Sequence, residues 1–279
     1  MKRPHNIGFI QGRLSPIINN KIQVFPVENW EKEFSEAKII GLDMIEWTID
    51  EETFVDNPLM YSEGRKKIKE ACLINNIKIP SLTCDYAMQK PFWKMNKSES
   101  VKAKENFINI VNACHDLNIE IIVVPIVDNG RLENTNQKDN IINFFNGLRE
   151  KLEKLNCKIA FESDMKPLEL LEFINNFDAN FGVNYDTGNS ASLGYDPSEE
   201  ISVYGHRIIN VHIKDRKLGG STVPLGSGDC NFDNVFCNLT VASYNKNYIL
   251  QTARDFDGYH SKALKEYKDM TTKWIEKHG

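Results

Sequence analysis

KIAFESDMKPLELLEFINNFDANFGVNYDTGNSASLGYDPSEEISVYGHRIINVHIKD, residues 158–215, holds three short apolar runs that each close on a residue able to ligate a metal: Glu162, Asp186 and His212. A fourth run of the same kind, YILQ, follows at 248–251 and closes on Gln251. Runs of four to eight β-branched and aromatic residues read as buried strands, so each of these side chains falls at or near a strand's C-terminal end. Strands separated by helical patterns build a parallel sheet, and ligands bind such sheets beyond the carboxyl ends of the strands. Four polar groups therefore converge on one rim.

Working outward, strand-like runs recur at 7–14, 44–49, 79–84, 120–127, 158–162, 181–186, 208–214 and 248–252. Amphipathic stretches with apolar residues at three- and four-residue intervals separate them, at 30–40, 64–74, 101–117, 140–155, 167–177 and 197–204, and 261–277 closes the chain. The 230–239 stretch is short and weakly patterned. Eight strand–helix units with no composition break or Gly/Ser linker predict one α/β domain over 1–279, a single (β/α)8 TIM barrel. The length of 279 residues agrees, about 250 being typical of that fold. No GxGxxG follows the first strand, which argues against a dinucleotide-binding sheet. The long connections at 50–60, 85–98, 128–138 and 216–231 all leave strands, and in a barrel these loops build the active-site rim.

A net charge of −5 and a pI near 5.8 leave no overall basic field, which disfavours extended nucleic-acid binding. No segment approaches 18 uninterrupted apolar residues, and the charged N-terminus MKRPHNIGFIQGRL reads as the first strand rather than a leader. The expectation is a cytoplasmic chain without membrane or nucleic-acid partners, acting on a small molecule and compatible with a homo-oligomer. The six cysteines have no CxxC pair or regular spacing and read as reduced core residues, Cys84 included.

A divalent metal that holds a sugar-like substrate wants hard oxygen ligands, one imidazole at most, and open positions. Glu162, Asp186, His212 and Gln251 fit that list, and the ligand set would accept one ion of Mn²⁺, Mg²⁺, Co²⁺ or Zn²⁺. The signal comes from the set, since any one of them alone reads equally as a helix cap. Around them, Gln11 ends the first strand, and Lys214 shares the side of His212 by period two. Asn189 and Arg254 follow their respective ligands by three residues. Arg13 and Arg254 suit a phosphate or carboxylate, or pairing with nearby acids. Glu46 in MIEW is placed to orient a substrate hydroxyl or to bond a neighbouring strand, and Asp215 to cap a helix or support a ligand. Trp47, Tyr86, Phe92, Trp93 and Phe256 surround the long loops; core packing is expected for most, with a lid or subunit contact as the other role for Phe92 and Trp93. His5, His115, His206, His260 and His278 read as exposed or structural.

The motifs FESD, NYDTGN and VHIKD, with GFIQGRL, MIEW and the PLGSGD loop at 224–229, resemble the xylose-isomerase-like TIM barrels over essentially the whole chain. That superfamily includes sugar and sugar-phosphate isomerases and epimerases and the endonuclease IV-type nucleases. Its epimerase branch implies a metal held by Glu162, Asp186 and His212, with a second Glu as fourth ligand and opposed base. Here that position is Gln251, whose amide can lend an oxygen but cannot exchange a proton near neutrality. The resemblance thus implies an isomerase or epimerase of a sugar or sugar-phosphate, acting through proton abstraction by Glu162 and an enediolate. Dehydration of a keto-sugar or keto-inositol, and sugar binding without turnover, also fit these residues. A single strand-end histidine fits a trinuclear zinc nuclease poorly.

Overall fold

The computed structural model describes residues 6–255 and 257–279. Eight parallel strands close into a barrel, and each aligns with one sequence run: β1 (Ile7–Ile10), β2 (Ile45–Ile49), β3 (Ser81–Cys84), β4 (Ile121–Ile126), β5 (Lys158–Ser163), β6 (Phe181–Asp186), β7 (Ile208–Ile213) and β10 (Tyr248–Leu250). The order around the barrel is β1-β10-β7-β6-β5-β4-β3-β2, so chain neighbours are spatial neighbours. Two further strands, β8 (Asp215–Arg216) and β9 (Thr222–Val223), form a small antiparallel pair above the rim.

The helices are α1 (Trp30–Ile40), α2 (Ser62–Asn75), α3 (Asp85–Gln89), α4 (Lys97–Asp116), α5 (Thr135–Gly147), α6 (Arg149–Lys154), α7 (Pro167–Ile174), α8 (Thr187–Leu193), α9 (Pro197–Tyr204), α10 (Phe232–Val241) and α11 (His260–His278). Several elements differ from the sequence reading. The segment expected over 140–155 begins at Thr135, where the Asn134 side chain caps Gln137 N–H, and breaks after Gly147 into two helices. The weakly patterned 230–239 stretch forms a ten-residue helix. Its asparagines dilute the pattern, yet Phe232, Val235, Phe236 and Leu239 form a buried stripe, with Phe232 and Phe236 stacked on Trp274 of α11. Strand β1 stops at Ile10 instead of running to Leu14, because Gly12 turns the chain at φ 91°.

Alternation along the strands separates two environments. Outward residues pack on the helices. Phe161 of β5 and Phe181 of β6 join Phe145 of α5, Phe173 of α7 and Phe177 in one aromatic layer. Phe92 and Trp93 extend this layer toward Phe107 and Phe144 and are buried, with Trp93 Nε1 donating to Gly130 O at 2.9 Å. They are core residues, not a lid. Trp47 is likewise buried on the outer side of β2, against Phe25 and Trp30. Phe256 lies outside the described residues, as does His5. Inward, Ile121, Val123, Ala160 and Ile209 form a small separate apolar cluster. Beyond it toward the C-terminal mouth, the interior turns polar.

Candidate active site

The polar interior is organised around Glu46. Its carboxylate is fully buried and accepts from Ser81 Oγ and Thr83 Oγ1, both at 2.6 Å, from Asn210 Nδ2 at 2.9 Å, and from His212 Nε2 at 2.7 Å. Burial alone would raise its pKa, but His212 and the hydroxyl donors hold it below the usual carboxylate range. With both oxygens filled, Glu46 has no lone pair to offer a substrate hydroxyl. Its place is beneath His212, which corrects the expectation of a substrate contact.

Tying Nε2 to Glu46 fixes the ring and turns Nδ1 toward the mouth, 3.2 Å from Glu162 Oε2 and 4.0 Å from Asp186 Oδ2. Burial opposes a charge on His212, but Glu46 and Glu162 push its pKa up to about 10. Nδ1, Glu162 and Asp186 bring three ligand atoms within 4.8 Å of one another. Nδ1 also lacks a hydrogen-bond partner of proper geometry. One imidazole nitrogen and two carboxylate oxygens converging at strand ends fit a divalent cation, which would take the place of the ring proton.

Glu162 is held by side-chain amides on both oxygens: Asn184 Nδ2 to Oε2 and Asn189 Nδ2 to Oε1, each at 2.8 Å. Burial works against its ionisation, but His212 and Lys214 prevail and keep its pKa low. Asp186 divides its two oxygens. Oδ1 accepts Asn189 N–H at 2.8 Å and caps α8, while Oδ2 accepts from Lys214 Nζ at 3.0 Å. Cap and ligand candidate are thus compatible readings of one side chain. Lys214 also reaches Gln251 Oε1 at 3.2 Å and Asn189 Oδ1 at 3.4 Å, so one ammonium joins Gln251 to the Asp186 oxygen of the three-atom cluster.

Two glycines make the motifs rigid. A Cβ on Gly188 would lie 2.6 Å from Lys214 Cγ, so DTGN packs directly on the HIKD strand end. A Cβ on Gly228 would lie 2.0 Å from Asp215 Oδ1. Asp215 caps no helix: its buried carboxylate accepts the amides of Gly226 and Gly228 at 2.8 Å and of Cys230 at 3.2 Å, and so suspends the PLGSGD loop from the first residue of β8.

The remaining candidates divide. Asn189 belongs to the cluster, and Arg216 Nη1 donates to its Oδ1 at 2.9 Å. Arg13 is buried and spends its donors on Thr252 O, Ile22 O and Gln23 Oε1, tying the loop after β1 to the chain beyond β10. Arg254 is half-buried, donates through Nη1 to Ser15 O and Pro16 O, and leaves Nε without a partner. Gln11 is buried with Oε1 near Thr48 N–H at 3.4 Å and Nε2 unpartnered. Among the other described histidines, His115 and His206 are exposed and His260 and His278 half-buried, all away from strand ends. Cys84 is buried, and burial pushes its thiol to about 12, which leaves it inert at neutral pH.

Sequence reasoning passed over Asn184, Asn210 and Asp85. The first two occupy inward positions two residues before Asp186 and His212, which strand parity alone could have flagged. Asp85 was hidden in a segment read as loop; it opens α3 directly beyond β3.

A sequence model described as the xylose isomerase-like TIM barrel matches residues 34–270. L-ribulose-5-phosphate 3-epimerase UlaE of Escherichia coli (strain K12) is 24% identical over 237 residues, covering 80% of this chain and 82% of that protein. Among solved structures, a xylose isomerase domain protein from Planctomyces limnophilus superposes with TM-score 0.77 at 14% identity, covering 98% of each chain. The D-psicose 3-epimerase of Clostridium cellulolyticum H10, solved with D-tagatose, gives 0.74 at 12% identity, covering 97% of this chain and 99% of that one. At these identities the structural likeness speaks for the fold.

Proposed function

Since the chain belongs to the xylose isomerase-like TIM barrel family, we propose that it is a sugar or sugar-phosphate isomerase/epimerase that begins by removing a proton from carbon beside a carbonyl, with Glu162 as the base. The observation that carries this reading is the setting of Glu162. It is a strand-end carboxylate kept ionised by His212 and Lys214 and clamped by two amides, which leaves its base orientation fixed before substrate arrives. The named activities of the relatives, L-ribulose-5-phosphate 3-epimerase and D-psicose 3-epimerase, support the same class of chemistry.

Glu162, Asp186 and His212 would hold one divalent cation. When bound, such an ion acts as a Lewis acid that polarises the carbonyl and offsets the negative charge of the enediolate. The chain's own residues do the rest. Glu46 keeps His212 in one orientation; Asn184 and Asn189 hold the base; Lys214 brings a positive charge to the Asp186–Gln251 side, where a developing oxyanion gains from it. Gln11 Nε2 and the Thr48 and Thr252 hydroxyls have no partner in the described protein, a supply of polar groups that suits a polyhydroxylated ligand. Gln251 supplies no second carboxylate, so Glu162 is the carbon base.

The test is proton exchange. Protein loaded with Mn²⁺ or Co²⁺ is incubated in D₂O with ketopentoses, ketohexoses and their phosphates, and deuterium entering beside the carbonyl is followed by NMR. Wild type is expected to exchange and convert at least one of them, and Glu162→Gln to do neither. A wild type that binds these sugars but exchanges none would make the barrel a binding protein; loss of water with new ultraviolet absorbance would make it a dehydratase.

A further inference from the structure

Beyond β7 the chain turns into the β8–β9 hairpin, in which Asp215 pairs with Val223 and Arg216 with Thr222. The hairpin is docked on α8 at two points. Gly219 N–H in its turn donates to Ser192 O at 2.8 Å, and Arg216 Nη1 donates to Asn189 Oδ1 at 2.9 Å. Arg216 Nε and Nη2 both donate to Gly220 O, at 3.1 and 2.8 Å, so the guanidinium is steered by the hairpin's own backbone. A guanidinium carries five N–H donors, and these bonds leave one N–H on each terminal nitrogen unspent. Every partner is neutral. The acids nearest to it in sequence are engaged elsewhere, Asp215 with three loop amides and Asp229 with Leu218 N–H and Lys217. Arg216 is half-buried, and among the described residues it makes no ion pair. Arg207 shows the contrast: equally half-buried, it lays Nη2 against four main-chain oxygens, those of Ile174, Phe177, Asp178 and Phe181, and is consumed by the fold. Asn189 ties Arg216 to the chemistry. Its Oδ1 receives Arg216 and, at 3.4 Å, Lys214 Nζ, while its Nδ2 donates to Glu162 Oε1 at 2.8 Å. Two cations meet over one neutral oxygen, and the carbon base holds the other end of the same amide.

We propose that Arg216 binds a phosphate group of the substrate, so that this barrel acts on a phosphorylated ketose rather than on a free sugar. This rests on Glu162 being the carbon base. The two unspent N–H groups belong to a planar fork that matches two oxygens of a phosphate monoester. Lys214 has no donor to spare, its ammonium being shared among Asp186, Gln251 and Asn189, and it adds positive field from the same side. Two positive charges at one place suit a dianion better than a carboxylate. The hairpin follows the seventh strand of the barrel, and the connections after the seventh and eighth strands are where barrels frequently hold phosphate. The geometry also limits the ligand. A single side-chain amide separates Glu162 from Arg216, so the acidic carbon and the phosphate must lie only a few bonds apart, as they do in a pentose or hexose monophosphate. Because the hairpin backbone holds the guanidinium before any ligand arrives, little side-chain freedom is lost on binding.

The experiment uses Mn²⁺-loaded wild type, Arg216→Gln and Arg216→Lys. Inorganic phosphate is the calorimetric probe, and ketopentoses, ketohexoses, their monophosphates and a ketouronate are the substrates. Wild type should bind phosphate, be inhibited by it competitively, and favour a monophosphate over the free sugar by about 100-fold or more in kcat/KM. Arg216→Gln should lose phosphate binding and raise KM for the monophosphate by about 10–100-fold, with the smaller share of the loss in kcat and the preference for the monophosphate falling by the same factor. Arg216→Lys should recover part of it. Mn²⁺ titration of all three should give one affinity, since Asn189 and Glu162 keep their places. An Arg216→Gln protein that loses free-sugar turnover, monophosphate turnover and Mn²⁺ affinity together makes Arg216 a strut of the hairpin and overturns the proposal. Equal use of free and phosphorylated sugars by wild type, or a preference for the ketouronate, overturns it as well. The two readings fail separately: deuterium exchange that survives Glu162→Gln removes the base, and phosphate binding that survives Arg216→Gln removes the anion site.

Discussion

Replacing Glu46 by Gln changes one oxygen to NH₂ in a place where every neighbour donates. Placed at the Oε2 position, the new NH₂ meets Ser81 Oγ and Asn210 Nδ2; at Oε1 it meets Thr83 Oγ1 and His212 Nε2. The serine hydroxyl can rotate to accept, and Asn210 Nδ2 keeps Asn184 Oδ1 at 2.9 Å, so the Oε2 placement is the cheaper one. What cannot be recovered is the buried negative charge opposite His212. Removing one partner of a buried ion pair costs about 3–5 kcal/mol. At roughly 2–4 °C per kcal/mol for a chain of this size, Tm should fall by roughly 6–20 °C. Because the carboxylate also orients Nδ1, affinity for Mn²⁺ should weaken by about 10–100-fold. Thermal unfolding of chelated protein and calorimetric Mn²⁺ titration measure the two effects separately. A Glu46→Gln protein with Tm within about 2 °C of wild type and unchanged Mn²⁺ affinity would refute the assignment of Glu46 as the charge partner of His212.

Two other outcomes follow from the same geometry. Gly228→Ala places a methyl 2.0 Å from Asp215 Oδ1, so the 224–229 loop must leave its carboxylate anchor; the expected cost is about 1–3 kcal/mol, with faster amide exchange confined to Gly226, Gly228 and Cys230, and uniform exchange across the barrel would count against it. For Asp85 the folded-state pKa lies above the unfolded value, from 3.8 to about 7, so its stabilising contribution is complete below pH 3.8 and is lost as pH rises toward 7. Metal-free Asp85→Asn should therefore be more stable than wild type at pH 8, by on the order of 2–4 kcal/mol, with the gap closing toward pH 4; urea unfolding at the two pH values that shows no such convergence removes the shift.

The barrel was legible because its strands are buried on both sides, and that produces uninterrupted apolar runs that no helix of the chain imitates. The positions of Glu162, Asp186 and His212 followed from the ends of those runs. What could not be read was which way the surrounding polar groups are spent. Glu46 has an inward register, but only the pairing of β2 with β3 and the reach across the barrel to Asn210 and His212 of β7 show it saturated by four donors. Arg13 has the composition of an anion site and the geometry of a clasp, because its carbonyl partners come from residue 252 and residue 22, far apart in sequence. Helix α8 escaped notice because TGNSASL is too short and too polar to show a period; its cap, Asp186, was noticed for another reason.

The separation of aromatic and polar layers across β5 and β6 has a consequence for variation. Phe161 and Glu162 are adjacent in the chain yet point to opposite sides of the sheet, one into a packed shell of rings and the other into the mouth. Substitutions in the shell, at Phe145 or Phe173, share no partners with those at the mouth, so their free-energy effects should add. A lineage or a designer can exchange stability and substrate preference on two nearly independent registers, with the strand backbone as the only component common to both.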